Sequence, residues 1–514
     1  MGFLLGIDVG TSGVKTCLFR MDGSLQAAAS ADYPLLQPKP GWAEQHPEDW
    51  WRAVKHTIQD IIRKAGIRPA DIAGIGLSGQ MHGLVLLDRS GNVLRPAIIW
   101  CDQRTQAEVE WMEEKIGRDA IIRMTANPPL PNFTATKLLW VREHEPQVYE
   151  NIAKVLLPKD YIRYKLTGEW ATEVSDASGT LLLDVAHRQW SRDMLRHLDI
   201  RPEWLPAVYE SHEISGRVSA GAAQETGLAQ GTPVAGGGGD QAAGAVGNGI
   251  VRTGIVSGTI GTSGVVFACT DKIVTDPKGR LHSFCHAVPG KWHVMGVTQA
   301  AGGSLQWFRN QFGDVERSAA SFLQKDPYEL FSEEAEHAPV GSEGLLFLPY
   351  LMGERTPHLD PFAKGAFVGI TARHAKNHFI RAVMEGVAYS LLDSIELMKA
   401  LDMDISHVRA SGGGARSRVW RQIMADIFNR EVDTVEANEG PAFGAALLAG
   451  VGIGVYGSVE EACEAAVRTA DRLLPVAAHV PVYQKYYAVY RRLYGDLRES
   501  MHLLHKLVEE GEQG

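Results

Sequence analysis

The sequence predicts an α/β protein of two similar domains closing on a central cleft. Three observations carry that prediction. The pentapeptide Gly-Thr-Ser-Gly-Val occurs twice, at 10–14 and at 261–265. Each copy adjoins strand-like apolar residues: Leu4-Leu5-Gly6-Ile7-Asp8-Val9 precede the first, and Val265-Val266-Phe267 continue the second. The densest glycine run, Gly236-Gly237-Gly238-Gly239, lies just ahead of the second copy and marks a domain junction. A Gly/Thr/Ser turn between strands offers N–H groups and hydroxyls to phosphate oxygens. Two such turns read as grips on one polyphosphate from opposite sides. Alone, the pentapeptide also fits chance recurrence in a chain with 54 glycines.

Local patterns follow in chain order. Residues 3–37 read as short strands, with Asp22-Gly23 as a hairpin signal. Trp51, Val54, Ile58, Ile61 and Ile62 recur at helical spacing and predict an amphipathic helix over 48–64. Strands return over 71–100, at Ile72–Leu77, Leu84–Leu87 and Ala97–Trp100, with a turn at Asp88–Asn92. Helices and strands then alternate to about 235. Phe379, Val383, Met384, Val387, Leu391 and Ile395 share one face of a helix over 376–400. A glycine turn and a helix occupy 408–430, and Tyr483–Leu507 is a closing helix.

Composition narrows the function classes. Hydrophobic residues at 45% and charged residues at 22% are ordinary for a globular protein. A net charge of −10 argues against nonspecific binding to nucleic acid or to an anionic membrane surface. Five scattered cysteines without a Cys-x-x-Cys pair fit a reducing compartment and supply no zinc framework. The N-terminus lacks a basic n-region. The uncharged stretch Gly440–Val459 is rich in glycine and holds Pro441, so it reads as a close-packed Gly/Ala helix rather than a membrane span. The expected location is cytoplasmic.

Several residue groups carry chemistry. Asp8, ahead of the first turn, could hold Mg²⁺ through water, with Lys15 as a point charge for phosphates and Thr11, Ser12 and Gly13 as turn donors. An ordinary β-turn explains the same residues. Gly74-Ile75-Gly76-Leu77-Ser78-Gly79 satisfies G-x-G-x-x-G, with Asp102 near the place of a ribose-binding acid, which raises a rival oxidoreductase reading. That fingerprint needs a helix at its third glycine, and here Gln80-Met81-His82-Gly83 leads straight into Leu84-Val85-Leu86-Leu87. Asp240 is the best candidate for chemistry: it follows four glycines and could accept the proton of a substrate hydroxyl. A helix-capping role explains it equally. Ser411-Gly412-Gly413-Gly414-Ala415-Arg416-Ser417 could accommodate the flat parts of a nucleotide, or serve as a plain helix-entry turn.

Taken together, these residues resemble the FGGY family of carbohydrate kinases, within the actin-like/hexokinase-like ATPase superfamily, over nearly the whole chain. Asp8-Val9-Gly10-Thr11-Ser12 is similar to the family's first phosphate loop and Gly258-Thr259-Ile260-Gly261-Thr262-Ser263-Gly264 to its second. Thr134–Trp140 is similar to one family signature. Gly365–Ile370, followed by His378-Phe379 and Ala382–Glu385, is similar to the other. The resemblance implies two ribonuclease-H-like domains around a catalytic cleft. Residues 1–247 would carry sugar binding, the first phosphate loop and the catalytic Asp; 248–514 would carry the second phosphate loop and adenosine binding.

It also implies ATP and Mg²⁺ as cofactors, Asp240 as catalytic base and Gln241 as a sugar contact. Thr262, Gly302, Gly413 and Ser417 fall at nucleotide-contact positions. In this family the sugar-reading turn carries Met-His where xylulose is the substrate and Arg-Glu where glycerol is. Met81-His82 therefore implies D-xylulose, with Asp102 as a further sugar contact. L-Ribulose, gluconate and glycerol stand as alternative acceptors, and a non-sugar actin-like ATPase as a distant one. The expected partners are D-xylulose and ATP, with a homodimer as the assembly to consider and no nucleic acid or membrane.

Overall fold

The computed structural model describes residues 2–436 and 439–512. Three antiparallel strands open the chain: β1 (Phe3–Val9), β2 (Gly13–Arg20) and β3 (Leu25–Asp32). Helix α1 (Pro47–Ala65) has Pro at its first turn, Glu48 and Asp49 at its positive end, and left-handed Gly66 at its stop. It buries Trp50, Trp51, Val54, Ile58 and Ile61 against the sheet. Each such side chain contributes roughly 1.5–3 kcal/mol of hydrophobic stabilisation. Strand β4 (Ile72–Gly79) pairs parallel with β1 and contains the whole G-x-G-x-x-G segment. A bend and another strand follow it, so the dinucleotide reading has no helix to stand on. Helix α2 (Thr134–His144) lies beyond; β5 (Ile214–Arg217) and β6 (Pro233–Ala235) complete the sheet in the order β5-β6-β4-β1-β2-β3. The two-residue strand Gly238–Gly239 also pairs with β4 and leads into helix α3 (Asp240–Gly247).

The second half repeats the plan. Its strands are β7 (Gly254–Ile260), β8 (Gly264–Thr270), β9 (His282–Cys285), β10 (Trp292–Thr298), β11 (Ile405–Ser411), β12 (Glu431–Val435) and β13 (Thr469–Leu473). They run in the order β9-β10-β8-β7-β11-β12-β13. As in the first sheet, a hairpin precedes two parallel pairings at the centre, β7 with β11 and β11 with β12. Helix α4 (Lys376–Ala400) buries Val383, Met384, Val387, Leu391 and Ile395 in this domain's core. Helix α5 (Arg418–Phe428) follows β11, and α6 (Gly440–Gly452) follows β12. Helix α7 (Val480–Glu512) closes the chain.

The two halves meet along α6. It lies on β1 and β4 of the first sheet, where a Cβ on Gly6 or Gly76 would stand 1.8 Å from the carbonyl oxygen of Ala442 or Ala445. It also crosses α3, where a Cβ on Gly444 would stand 1.8 Å from Ala243 O. The uncharged stretch from Gly440 is therefore a close-packed Gly/Ala helix. No helix among the described residues is long and apolar enough to cross a membrane.

Candidate functional site

Parallel strands that end abreast build the first half of the site. Asp8 pairs in register with Ser78, and Ser78 with Gly238, so three chain segments terminate together at one sheet edge. Ligands of open α/β sheets bind beyond such carboxyl ends. Burial raises the Asp8 carboxyl to about 6, against the opposing effects of the neighbouring Ser78 hydroxyl and the Lys15 charge. Its Oδ1 is buried without a hydrogen-bond partner. In the turn that follows, Gly10 N–H donates to Gly13 O at 3.0 Å. Thr11 is fixed from two sides: its Oγ1 accepts Trp100 Nε1 at 2.8 Å and its carbonyl accepts Gln45 Nε2 at 2.7 Å. Ser12 is exposed, and Gly13 admits no side chain because a Cβ would lie 2.7 Å from Ala31 O. Lys15 forms an ion pair with Glu439, across the seam between the halves.

The glycine run aims Asp240. Gly237 is left-handed at φ +74, and a Cβ there would stand 1.9 Å from Leu77 O. Gly239 passes under Met81, where a Cβ would meet Met81 Cγ at 2.9 Å. Its N–H donates to Ser175 Oγ at 3.1 Å, and Ser175 is held by the buried Glu173. Asp240 then begins α3, half-buried, with Gln241 hydrogen-bonded to it. Burial raises its carboxyl to about 7; the Asp8 charge adds to the rise and Gln241 opposes it. A carboxylate tuned near neutral pH is suited to accept a proton.

The turn at 80–83 rests against this loop. Met81 is buried beside Gly239, and His82 takes a left-handed conformation, φ 67. Such a conformation costs a non-glycine residue of order 1 kcal/mol or more and persists only where surroundings fix it. Here the His82 carbonyl accepts Lys137 Nζ at 2.8 Å and Thr134 Oγ1 at 3.1 Å. Its Nδ1 donates to Gly179 O at 2.6 Å, which leaves Nε2 as an acceptor. Burial lowers the imidazole to about 3, so the ring is neutral. Lys137, on α2, is fully buried and also donates to Asn132 O at 2.8 Å; burial lowers its ammonium to about 7. Lys137 stands in the sequence signature at 134–140, yet nothing local announces that it supports a turn 55 residues earlier.

Asp102 is placed differently from a free sugar ligand. Both of its carboxylate oxygens are committed, to the Arg104 side chain at 2.7–3.0 Å and to Ala43 N–H at 2.6 Å. Arg104 in turn lies 3.6 Å from the Trp42 ring centre. Asp102 thus braces the segment whose Trp100 reaches Thr11.

The second half of the site mirrors the first. Thr259 pairs with Ser411, and their hydroxyls lie 2.7 Å apart. Gly261 N–H donates to Ser263 O at 3.0 Å, Gly302 N–H to Gly261 O at 2.7 Å, and Thr262 O accepts from Ala301 and Gly303. A cavity of about 730 Å³ opens beside this turn. Thr262, Gly302, Gly413 and Ser417 all line it, with Tyr328 and Trp420. A Cβ on Gly413 would meet nothing within 4 Å, whereas Ser417 caps α5 by accepting Trp420 N–H at 3.1 Å.

Two domains of one topology, each ending its parallel strands in a Gly/Thr/Ser turn, form the frame of a nucleotide-dependent phosphotransferase. The chain belongs to the FGGY family of carbohydrate kinases: the family's N-terminal domain matches residues 3–247 and its C-terminal domain 256–453. It is 42% identical to the xylulose kinase of Bacillus subtilis (strain 168) over 494 residues, covering 96% of this chain and 97% of that protein. The crystal structure of xylulose kinase from Rhodospirillum rubrum superposes with a TM-score of 0.90 at 32% identity, covering 97% of this chain and 100% of that one. A gluconokinase of Bacillus subtilis (strain 168) is 34% identical over 448 residues, covering 87% of this chain and 86% of that protein.

Proposed function

We propose that this kinase transfers the γ-phosphoryl group of ATP to the C5 hydroxyl of D-xylulose, with Asp240 as general base. The observation that carries the reading is the contact of Met81 with Gly239, which brings the Met81-His82 turn against the loop that presents Asp240. A sugar held at that turn has a hydroxyl within reach of a carboxylate tuned to about 7. The acceptor hydroxyl gives its proton to Asp240 as its oxygen bonds to the γ-phosphorus; the bond from phosphorus to the β-bridging oxygen breaks, and ADP leaves. His82 Nε2 would accept from a sugar hydroxyl, Gln241 would contact the sugar, and Asp102 would act by bracing its turn.

Residues 1–247 would hold the sugar and the first phosphate loop. Residues 248–514 would hold the second loop and, in the cavity lined by Thr262, Gly302, Gly413 and Ser417, the adenosine. The first turn's Thr11, Ser12 and Gly13 would face the phosphates. The unpartnered Oδ1 of Asp8 suits a water-mediated Mg²⁺ ion, which when bound would neutralise charge on the β- and γ-phosphates.

The similarity to xylulose kinases supports the ketopentose, and the gluconokinase relative keeps a sugar acid in view. ADP release measured across D-xylulose, L-ribulose, gluconate and glycerol tests the reading. The expected result is the highest kcat/KM with D-xylulose. A higher value with any of the other three overturns the substrate and leaves the kinase class intact.

A further inference from the structure

One polar side chain from the second half of the chain, His282, packs into one aromatic cluster with the His82 ring, and a second, Arg355, stands on the segment bonded to the residues just before His282. His282, on β9, is 2% exposed, and both of its ring nitrogens lack a hydrogen bond. It shares an aromatic cluster with His82: the Phe133 ring lies 5.0 Å from His82 and 6.0 Å from His282, and Phe284 lies 6.1 and 5.8 Å from the same two rings. Leaving both nitrogens of a buried imidazole unpaired is costly, so the position calls for an explanation.

Arg355 is the second side chain. Thr356 places it beside β9, since its hydroxyl donates to Arg280 O at 2.8 Å and its N–H to Val297 O at 3.0 Å. The neighbouring Glu354 carboxylate is taken by Thr298 Oγ1, Gln299 N–H and Ser390 Oγ, and by the backbone N–H of Arg355. The guanidinium itself makes no ion pair or side-chain hydrogen bond among the described residues. Its charge is felt at both His82 and His282, where it adds to burial in keeping the rings neutral. Helix α7 fixes the loop from outside, with Tyr494 and His502 each bonded to Asp360 at 2.7 Å. The wall is also joined to the first half: Cys285 N–H donates to Ser178 Oγ at 3.0 Å, and Asn127 bonds Ser283.

We infer that His282 and Arg355 form the far wall of the acceptor site and hydrogen-bond oxygen atoms at the end of the sugar remote from the hydroxyl that is phosphorylated. The inference rests on the placement of the sugar at Met81-His82. A guanidinium suits a carbonyl flanked by a hydroxyl, the arrangement at the keto end of a ketose, and a neutral imidazole can accept or donate to an adjacent hydroxyl. Acceptor recognition is then divided between the two domains: the first reads the reacting end and the second the far end.

The test uses the full-length enzyme with saturating ATP and whichever of the four acceptors the parent phosphorylates best. Arg355→Met keeps the apolar stem and His282→Phe keeps the ring. The expected result is a rise of about tenfold or more in KM for the acceptor in Arg355→Met and a smaller rise in His282→Phe, because a bond to a charged donor is the stronger one. Arg355→Lys is expected to recover part of the loss. ADP affinity by calorimetry should stay within about twofold of the parent in all three. Acceptor KM within twofold of the parent in both Arg355→Met and His282→Phe overturns the inference, as does a parallel loss of ADP affinity and melting temperature, which marks a structural role. The parent's ranking of acceptors scores the xylulose reading separately, and a parent inactive on all four overturns both.

Discussion

Two places ahead of the first Gly-Thr-Ser-Gly-Val turn stands Asp8; two places ahead of the second stands Thr259. Lys15 follows the first turn where Val266 follows the second. Both turns terminate a strand paired in parallel with its neighbour, and both are pinned by a hydrogen bond from their leading glycine. Their surroundings diverge. The first is flanked by carboxyls raised to about 6 and about 7 and lies beside the buried Met81 and His82. The second has the neutral Thr259 and Val266 at its flanks and opens on a large cavity lined by glycines, Tyr328 and Trp420, with Glu329, Glu333 and Arg416 among the charged side chains at its walls. One backbone device thus stands in two settings, and under the proposed function the flanking residues would assign it two tasks: charge and proton chemistry in the first domain, nucleotide accommodation in the second.

The sharpest way to break this division is Asp240→Asn, which keeps the shape and removes the proposed base. A fall in kcat of about 10²–10⁴ is expected. In the parent, kcat/KM should rise with pH through about 7 as Asp240 loses its proton. The same group sets a stability signature. Its folded pKa lies above its unfolded value, so the folded state binds the extra proton and the parent loses stability as pH rises from about 4 to about 7. Asp240→Asn should therefore melt above the parent at pH 8 and close to it at pH 4, which separates lost chemistry from lost fold. Retained activity in that variant would move the base elsewhere.

A smaller effect is expected at the second turn. In Gly302→Ala the new methyl would stand 2.5 Å from Gly261 O and displace the turn. A rise of about tenfold in KM for ATP should appear, with a lesser change for the sugar. Equal changes in both would show that the second turn is not confined to the nucleotide. The smallest effect belongs to Lys15→Met. Half-exposed ion pairs are worth about 0–1 kcal/mol, so KM for ATP should change by less than about fivefold, and less again in high salt. A larger loss would put Lys15 on the phosphates in the working enzyme rather than on Glu439.

Much of this division was legible in the sequence because it rests on local patterns. The repeated turn, the glycine run before Asp240, the helix expected over 48–64 and found at Pro47–Ala65, and the Gly/Ala helix expected within Gly440–Val459 and found at Gly440–Gly452 each follow from a few adjacent residues. The G-x-G-x-x-G segment could be set aside because no helix-length segment follows it. Long-range pairings were not legible. Nothing near Lys15 foretells Glu439, and nothing near Asp102 foretells that the Ala43 N–H takes up one of its oxygens. The support of His82 by Lys137, and the approach of His282 and Arg355 from the other domain, depend on how helices and sheets stack, which no short spacing encodes.

The seam along α6 has a consequence for the aperture between the two turns. At Gly6 and Gly76 the helix touches bare sheet backbone, with room for a hydrogen atom and none for a methyl. A side chain at either place would act as a wedge, tilting one domain on the other and moving each loop bodily while leaving its own geometry intact. The span across which phosphate must be handed to sugar is thus gauged far from both ligands, by the thickness of two glycine residues.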